Sequence, residues 1–370
     1  MNASKETWYA WLSCAGLPAE TMRDILREEP DPQRIFTFFQ SEGGLPGAEA
    51  LPRGTLQALR HASDEKVLSR WEKLISEHGI HTVSYLEPDF PEMLQPLPDA
   101  PALLFYQGDL RALLQPSISM VGSRSASYKG LEATGRIAEN LSRCGISIVS
   151  GLAYGIDAAA HQGCLKGGSP TVAVLGCGLD QDYPAENAGL KRSILQHGGV
   201  VLSEYAPGEK PLGWHFPYRN RIISGLSDAL VVMEARIRSG SMTTVQHALN
   251  QGKDVFVYPG DPGSPRSEGN HQLLREGAIY FTTADDILED MGWLDKKKNV
   301  GQNSEAPSSP NLSDPEQRIL RQLDQGERGF DQLCDGTKLS AAQLSAALSM
   351  LQVQGLIEAL PGKLYRKMKE

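Results

Sequence analysis

Ile118-Ser119-Met120-Val121-Gly122-Ser123-Arg124-Ser125 reads as a strand that stops abruptly on a glycine and runs into a helix near Tyr128–Arg143. The pattern recurs. Apolar runs stand at Ile146–Val149, Thr171–Leu175, Val200–Leu202, Ala229–Met233 and Val255–Tyr258, each followed by a stretch long enough for a helix. Near-continuous apolar runs separated by crossover helices imply strands buried on both faces of a mostly parallel sheet. Ligands of such sheets gather at the carboxyl ends of the strands, near the point where the strand order reverses. The expected fold is therefore α/β with a doubly wound core over 115–292.

The rest of the chain arranges itself around that core. Residues 1–80 read as short helices joined by Gly and Pro turns: Trp8, Trp11 and Leu12 share helical spacing, as do Ile35, Phe36 and Phe39. Asp31-Pro32 has the form of an N-cap followed by proline at the first helical position. Residues 81–114 form a Pro-rich connector that ends in a strand at Leu103–Tyr106. Residues 293–312, rich in Asn, Ser and Pro after Lys296–Lys298, read as a linker. In 313–370, helical stretches at Gln317–Leu323 and Phe330–Leu333 precede an amphipathic helix over Ser340–Gln354. A serine cap opens that helix and Gly355 ends it. A hairpin then turns at Pro361-Gly362, and three helices with a β-wing make a winged helix.

At 370 residues the chain holds more than one domain, since domains average roughly 100–200 residues. Composition of 40% hydrophobic and 22% charged residues excludes wholesale disorder. No run approaches the ~18 apolar residues of a membrane span, so no membrane partner is expected. Five cysteines with no CxxC spacing fit reduced cytoplasmic thiols better than disulfides or a zinc site. The net charge of −9 argues at first against nucleic acid, but it is unevenly placed. Residues 1–110 hold 9 Lys+Arg against 17 Asp+Glu, whereas 111–290 hold 16 against 18, which leaves room for a basic groove in the core.

Four strand ends carry the candidate chemistry. Gly122, Ser123, Arg124 and Ser125 combine close backbone approach, a helix start and a forked cation, which together suit a phosphate. Ser150, Gly151 and Gly155 repeat the strand–glycine–helix arrangement; His161 beyond them is read as packing rather than as a base, and Asp157 as fixing the loop. Gly176 and Gly178 begin a dinucleotide fingerprint, but Gln181 replaces its third glycine, so no nucleotide cofactor is expected. Arg236, Ser239, Gly240 and Ser241 again place arginine and small residues at a helix start. Between the third and fourth blocks, Trp214–Leu226 interleaves aromatics with Arg219, Asn220 and Arg221, a mixture that can stack on bases and hold phosphates. A mononucleotide needs one cradle; a polymer can use several.

In these blocks, in Val174–Asn187 and in Val257–Gly263 with Ser267–Asn270, the chain resembles the DNA processing protein A family (DprA, also called Smf). The resemblance implies an extended Rossmann domain that binds single-stranded DNA, an N-terminal module of sterile-alpha-motif type and a C-terminal winged helix. It further implies delivery of incoming DNA to the recombinase RecA in natural transformation, dimerisation through the Rossmann domain, and Arg124 as a DNA contact. Two positions depart from the family: Tyr154 and Ala185 stand where many members carry basic residues, and Lys191 and Arg192 are the expected substitutes. The competing expectation is a nucleotide-binding or N-glycoside-hydrolysing enzyme of the lonely-guy type. Ser239–Leu249 holds no carboxylate for that chemistry, and His247 falls near the catalytic glutamate's place. We therefore expect no catalytic residue and no metal. A transcription factor using the winged helix on duplex DNA has weaker support, because 340–354 lacks the Arg/Asn-rich face of a groove reader.

Overall fold

The computed structural model describes residues 3–48, 51–294, 314–323, 326–353, 357–360 and 364–367. Residues 295–312 of the expected linker, Gly355 and the Pro361-Gly362 turn lie outside them. The chain divides into two compact units, Met1–Val300 and Gly301–Glu370.

The first unit is built on a nine-stranded sheet. Its strands are β1 (His81–Ser84), β2 (Leu103–Gly108), β3 (Ser117–Val121), β4 (Ser147–Ser150), β5 (Thr171–Leu175), β6 (Val200–Ser203), β7 (Ala229–Val232), β8 (Asp254–Val257) and β9 (Ile279–Tyr280). The spatial order is β1-β2-β6-β5-β4-β3-β7-β8-β9. From β6 through β9 all neighbours are parallel, while β2 joins β6 and β1 joins β2 antiparallel. Every residue of β3, β4, β5 and β7 is buried, which is why those segments carry no charge and why their few hydroxyls, such as Ser119 and Ser150, are bonded to backbone carbonyls.

Helices α6 (Tyr128–Arg143), α7 (Ile156–Gly167), α8 (Ala188–Gln196), α9 (His215–Gly225), α10 (Gly240–Asn250), α11 (Glu268–Arg275) and α12 (Ala284–Asp290) cover the two faces. The chain winds outward from β3 through β4, β5 and β6, then returns to lay β7 on β3's other side. The strand order therefore reverses between β3 and β7, and their carboxyl ends frame the crevice where such folds bind ligands.

The N-terminal helices α1 (Lys5–Ser13), α2 (Ala19–Glu28), α3 (Pro32–Glu42), α4 (Arg53–Ala62) and α5 (Glu65–His78) do not keep a separate core. Trp8, Trp11, Ile25 and Ile35 belong to one apolar cluster with Phe105, Leu175 and Val201 of the sheet. The indole N–H of Trp71 donates to the Pro207 carbonyl at 3.0 Å across that seam. The Asp31 cap is present, accepting from Gln33 N at 2.9 Å ahead of Pro32.

The second unit is a winged helix. Its helices are α13 (Asp314–Leu323), α14 (Phe330–Thr337) and α15 (Ala341–Val353), and its strands are β10 (Arg328–Gly329), β11 (Ile357–Leu360) and β12 (Leu364–Lys367). The sheet order is β10-β12-β11. Ile319, Leu333, Leu344, Leu348 and Leu351 form the core, and Ser340 Oγ accepts from Gln343 N at 3.3 Å to open α15.

Candidate nucleic-acid interface

At the β3/β7 reversal a groove of about 600 Å³ opens at the carboxyl edge of the sheet. It brings together Gly122–Ser125 after β3, Arg236 and Ser239–Ser241 after β7, and Phe216, Arg219 and Asn220 from α9. Two of the four strand-end blocks and the α9 segment thus meet in one place, joined by Ala153 and Asp157 of the second block. Gly178, Lys191 and Arg192 do not line it.

Helix N-termini attract anions unless an internal carboxylate answers them first, and that condition separates the helices around the groove. At α6, Glu234 is already there: it accepts from Ser127 N at 3.1 Å and from Ser127 Oγ at 2.7 Å. Ser127 Oγ in turn accepts from Gly130 N. At α7, Asp157 occupies the first turn and accepts from Ala153 N at 3.3 Å. The cradles expected at those two helix starts are therefore closed by the protein's own acids. Helix α10 differs. Its first turn carries no acidic residue and no side chain caps it. Ser239 Oγ is buried and makes no hydrogen bond among the described residues.

The arginines divide just as sharply. Arg124 is exposed, and its guanidinium lies over the Phe216 ring at 5.2 Å. It makes no hydrogen bond or ion pair with other described residues, so its five donors are free for a ligand. Arg236 and Arg238 are likewise exposed. Tyr183, half exposed, sits 5.4 Å from Phe216 and extends the aromatic floor.

Arg219 is buried, donating to the Gly151 carbonyl at 3.2 Å and to the Val174 carbonyl. Burial pulls its pKa down to about 10, which leaves it charged at neutral pH. Burial pushes the neighbouring Asp157 carboxyl upward. A Cβ on Gly151 would fall 2.7 Å from both Arg219 Nη2 and Asp157 Oδ2, so a side chain there would collide with both groups beneath the groove.

Several expected contacts belong to the scaffold instead. Arg221 is 1% exposed and grips Glu204 with Nη2 at 2.7 and 2.8 Å. Asn220 ties α9 to α10 through the Gly240 carbonyl at 3.2 Å and Thr243 Oγ1 at 3.0 Å. Ser150 is fully buried and donates to the Met120 carbonyl at 2.6 Å. Gly122 lacks room for a side chain, since a Cβ would lie 2.5 Å from Ile156 Cγ1. Gly155 has φ +74° and faces the Ser123 and Arg124 carbonyls. At Gly178, a Cβ would lie 2.6 Å from the Ala206 carbonyl.

Lys191 does not supply the charge missing at 154 and 185. It is buried, with Nζ donating to the Leu179 carbonyl and lying 3.7 Å from Asp182 Oδ1. Arg192 is exposed on α8 but outside the groove. The Tyr154 hydroxyl donates to Glu186 beside it, so that edge of the loop presents an acid rather than a base. Lys191→Met is accordingly expected to leave oligonucleotide affinity unchanged; a fluorescence-anisotropy titration of the variant checks this. His161 is fully buried, burial lowers its pKa to about 3, and it faces Thr171 rather than the groove.

One residue at the rim was not singled out in the sequence. Arg266 Nε donates to the Ser125 carbonyl at 3.1 Å and lies 3.9 Å from Glu234 Oε1. It braces the Gly-Ser-Arg loop from outside. Its only sequence signal is its place just ahead of Ser267–Asn270, in a turn where an arginine looks like any solvated one.

Two family models match the chain: DNA recombination-mediator protein A over residues 81–292 and the DprA winged helix domain over 303–363. The Streptococcus pneumoniae DNA processing protein DprA is 45% identical over 205 residues, covering 55% of this chain and 72% of that protein. Protein Smf of Escherichia coli is 38% identical over 74% of each chain. Among solved structures, DprA from Streptococcus pneumoniae superposes with a TM-score of 0.66 at 36% identity, over 78% of this chain and 98% of the other. DNA processing protein A from Helicobacter pylori, solved for its single-stranded DNA binding mode, gives a TM-score of 0.53 at 30% identity over 57% and 95%. With both family models and the curated relatives in agreement, the chain belongs to the DNA recombination-mediator protein A family, the DprA/Smf proteins.

Proposed function

We propose that this protein is a recombination mediator that binds single-stranded DNA in the β3/β7 groove and passes it to a RecA-type recombinase. The observation that carries the proposal is the pairing of an acid-free N-terminus on α10 with the unpaired Arg124 guanidinium on Phe216. One holds a phosphate by backbone N–H groups, and the other holds the next phosphate beside a ring on which a base can stack. Neither contact reads a base edge, so binding is indifferent to sequence. The Helicobacter pylori relative supports the choice of single strands.

The hydrolase alternative needs a carboxylate free to act at a scissile bond. Among the described residues lining the groove only Asp157 is acidic, and it is held by Ala153 N and faced by Arg219. We further propose that two chains act as a homodimer through the Rossmann domain, which would set two grooves on one strand and raise avidity. Light scattering should then give about twice the 40.3 kDa chain mass.

A competition assay tests the binding proposal. Labelled single-stranded oligonucleotide should be displaced by unlabelled single strand, poorly by duplex and not by AMP. Each phosphate neutralised should add about −0.7 to the slope of log K against log salt. A flat salt response, or efficient displacement by AMP, overturns it. Faster growth of RecA filaments on the bound oligonucleotide tests the hand-over.

A further inference from the structure

A second cavity, about 770 Å³, lies between the N-terminal helices and the sheet, on the opposite side of the segment that walls the DNA groove. Phe216, Pro217 and Arg219 face the groove, while Trp214, His215 and Tyr218 from the same turns face this cavity. The two are therefore separate sites that share one wall.

Its chemistry is unlike that of the groove. No lysine or arginine lines it; its basic groups are the imidazoles of His61 and of His215, the latter buried with Nδ1 3.0 Å from the Gly176 carbonyl. The walls are apolar and aromatic, with Leu17, Met22, Trp71 and Leu103 at the back. The ring faces are not equally available. Tyr218 is covered by the Arg221 guanidinium at 3.9 Å, and Tyr205 is stacked on His215 at 3.8 Å. Trp214 remains: it is 63% exposed and is held edge-on by Tyr205 and His215, which fix its orientation.

Two carboxylates line the cavity. Glu204 is neutralised by Arg221. Glu209 has no ion pair among the described residues, and its backbone is fixed by the Gly178 N–H at 2.9 Å. Its charge is felt inside: burial first and Glu209 second raise the Cys14 thiol to about 12.

A free indole face, an unpaired carboxylate and largely apolar walls without lysine or arginine make a site for a cation carried on a flat apolar body. We propose that this cavity binds a small organic cation of the arylalkylamine class, with its ammonium between Trp214 and Glu209 and its ring against the apolar wall.

The test uses three molecules of one frame on the full chain: 2-phenylethylammonium, neutral 2-phenylethanol and anionic phenylacetate, each titrated by calorimetry. The proposal expects saturable binding of one ammonium per chain, weaker binding of the alcohol and none of the carboxylate. Trp214→Ala should weaken the ammonium about two- to fivefold. Glu209→Gln should produce a comparable drop. Both side chains are exposed, so the melting temperature should hold and a loss of binding can be assigned to the site. Absence of saturable ammonium binding at millimolar concentration overturns the proposal. So does equal binding of phenylacetate, or unchanged affinity in both folded variants. None of these outcomes depends on whether the groove binds DNA.

Discussion

Arg124→Ala is expected to weaken single-strand binding roughly tenfold to more than a hundredfold and to leave the melting temperature unchanged. The size follows from the loss of a charged hydrogen-bond partner, which costs about 1.5–3 kcal/mol. The unchanged stability follows from the structure: Arg124 is exposed, and among the described residues its guanidinium touches only the Phe216 ring. Arg124→Lys should recover part of the affinity, because a point charge cannot reproduce a forked contact. Anisotropy titrations and thermal unfolding of the same preparations check both halves. Intact binding with a lowered melting temperature would make Arg124 structural and move the groove elsewhere.

Arg221→Ala should do the reverse. Its guanidinium is 1% exposed, donates twice to Glu204, and donates from Nε to the Asp99 carbonyl at 3.0 Å. Burial is the largest influence and lowers its pKa, but Glu204, Tyr218 and Asp99 together outweigh it and the net shift is upward, so the guanidinium stays charged. Removing one member of such a pair leaves the other's charge in a poorly solvated place and costs about 3–5 kcal/mol. For a unit the size of Met1–Val300, with an unfolding entropy of about 2.1 cal/mol/K per residue, that amounts to a fall of roughly 5–8 °C in melting temperature. Replacing Arg221 and Glu204 together by apolar residues of similar volume should restore much of the loss. An Arg221→Ala variant that melts like the parent and binds DNA less well would reassign this arginine to the interface.

The contrast between these two arginines shows where the sequence stops being informative. Strand positions were readable because burial on both faces forces apolar runs, and β3, β5 and β7 lie where those runs stand. The strand-end glycines were found, but their purpose was not. At Gly122 and Gly151 the constraint comes from Ile156 and from the Arg219 and Asp157 side chains, neighbours brought close by the fold. Similarly, Glu234 lies 107 residues beyond Ser127, and nothing local to α6 announces that its N-terminus is already answered.

Helical geometry did offer one unused clue. Arg219 and Arg221 are two residues apart on α9, so they point about 200° apart and cannot both face one groove. That both are buried depended on Gly151, Val174 and Glu204, which only the tertiary structure supplies. The N-terminal helices look like a separate module because their amphipathic pattern does not say what they pack on. The sheet itself completes their core.

The central claim is that single-stranded DNA lies across the carboxyl ends of β3 and β7. Ultraviolet cross-linking of an oligonucleotide to the full chain, with the modified peptides identified by mass spectrometry, tests it most directly. Adducts are expected on the peptides carrying Phe216 and Tyr183 and on those spanning 122–125 and 236–241, all abolished by excess unlabelled single strand. Adducts confined to the winged helix, residues 314–367, would contradict it.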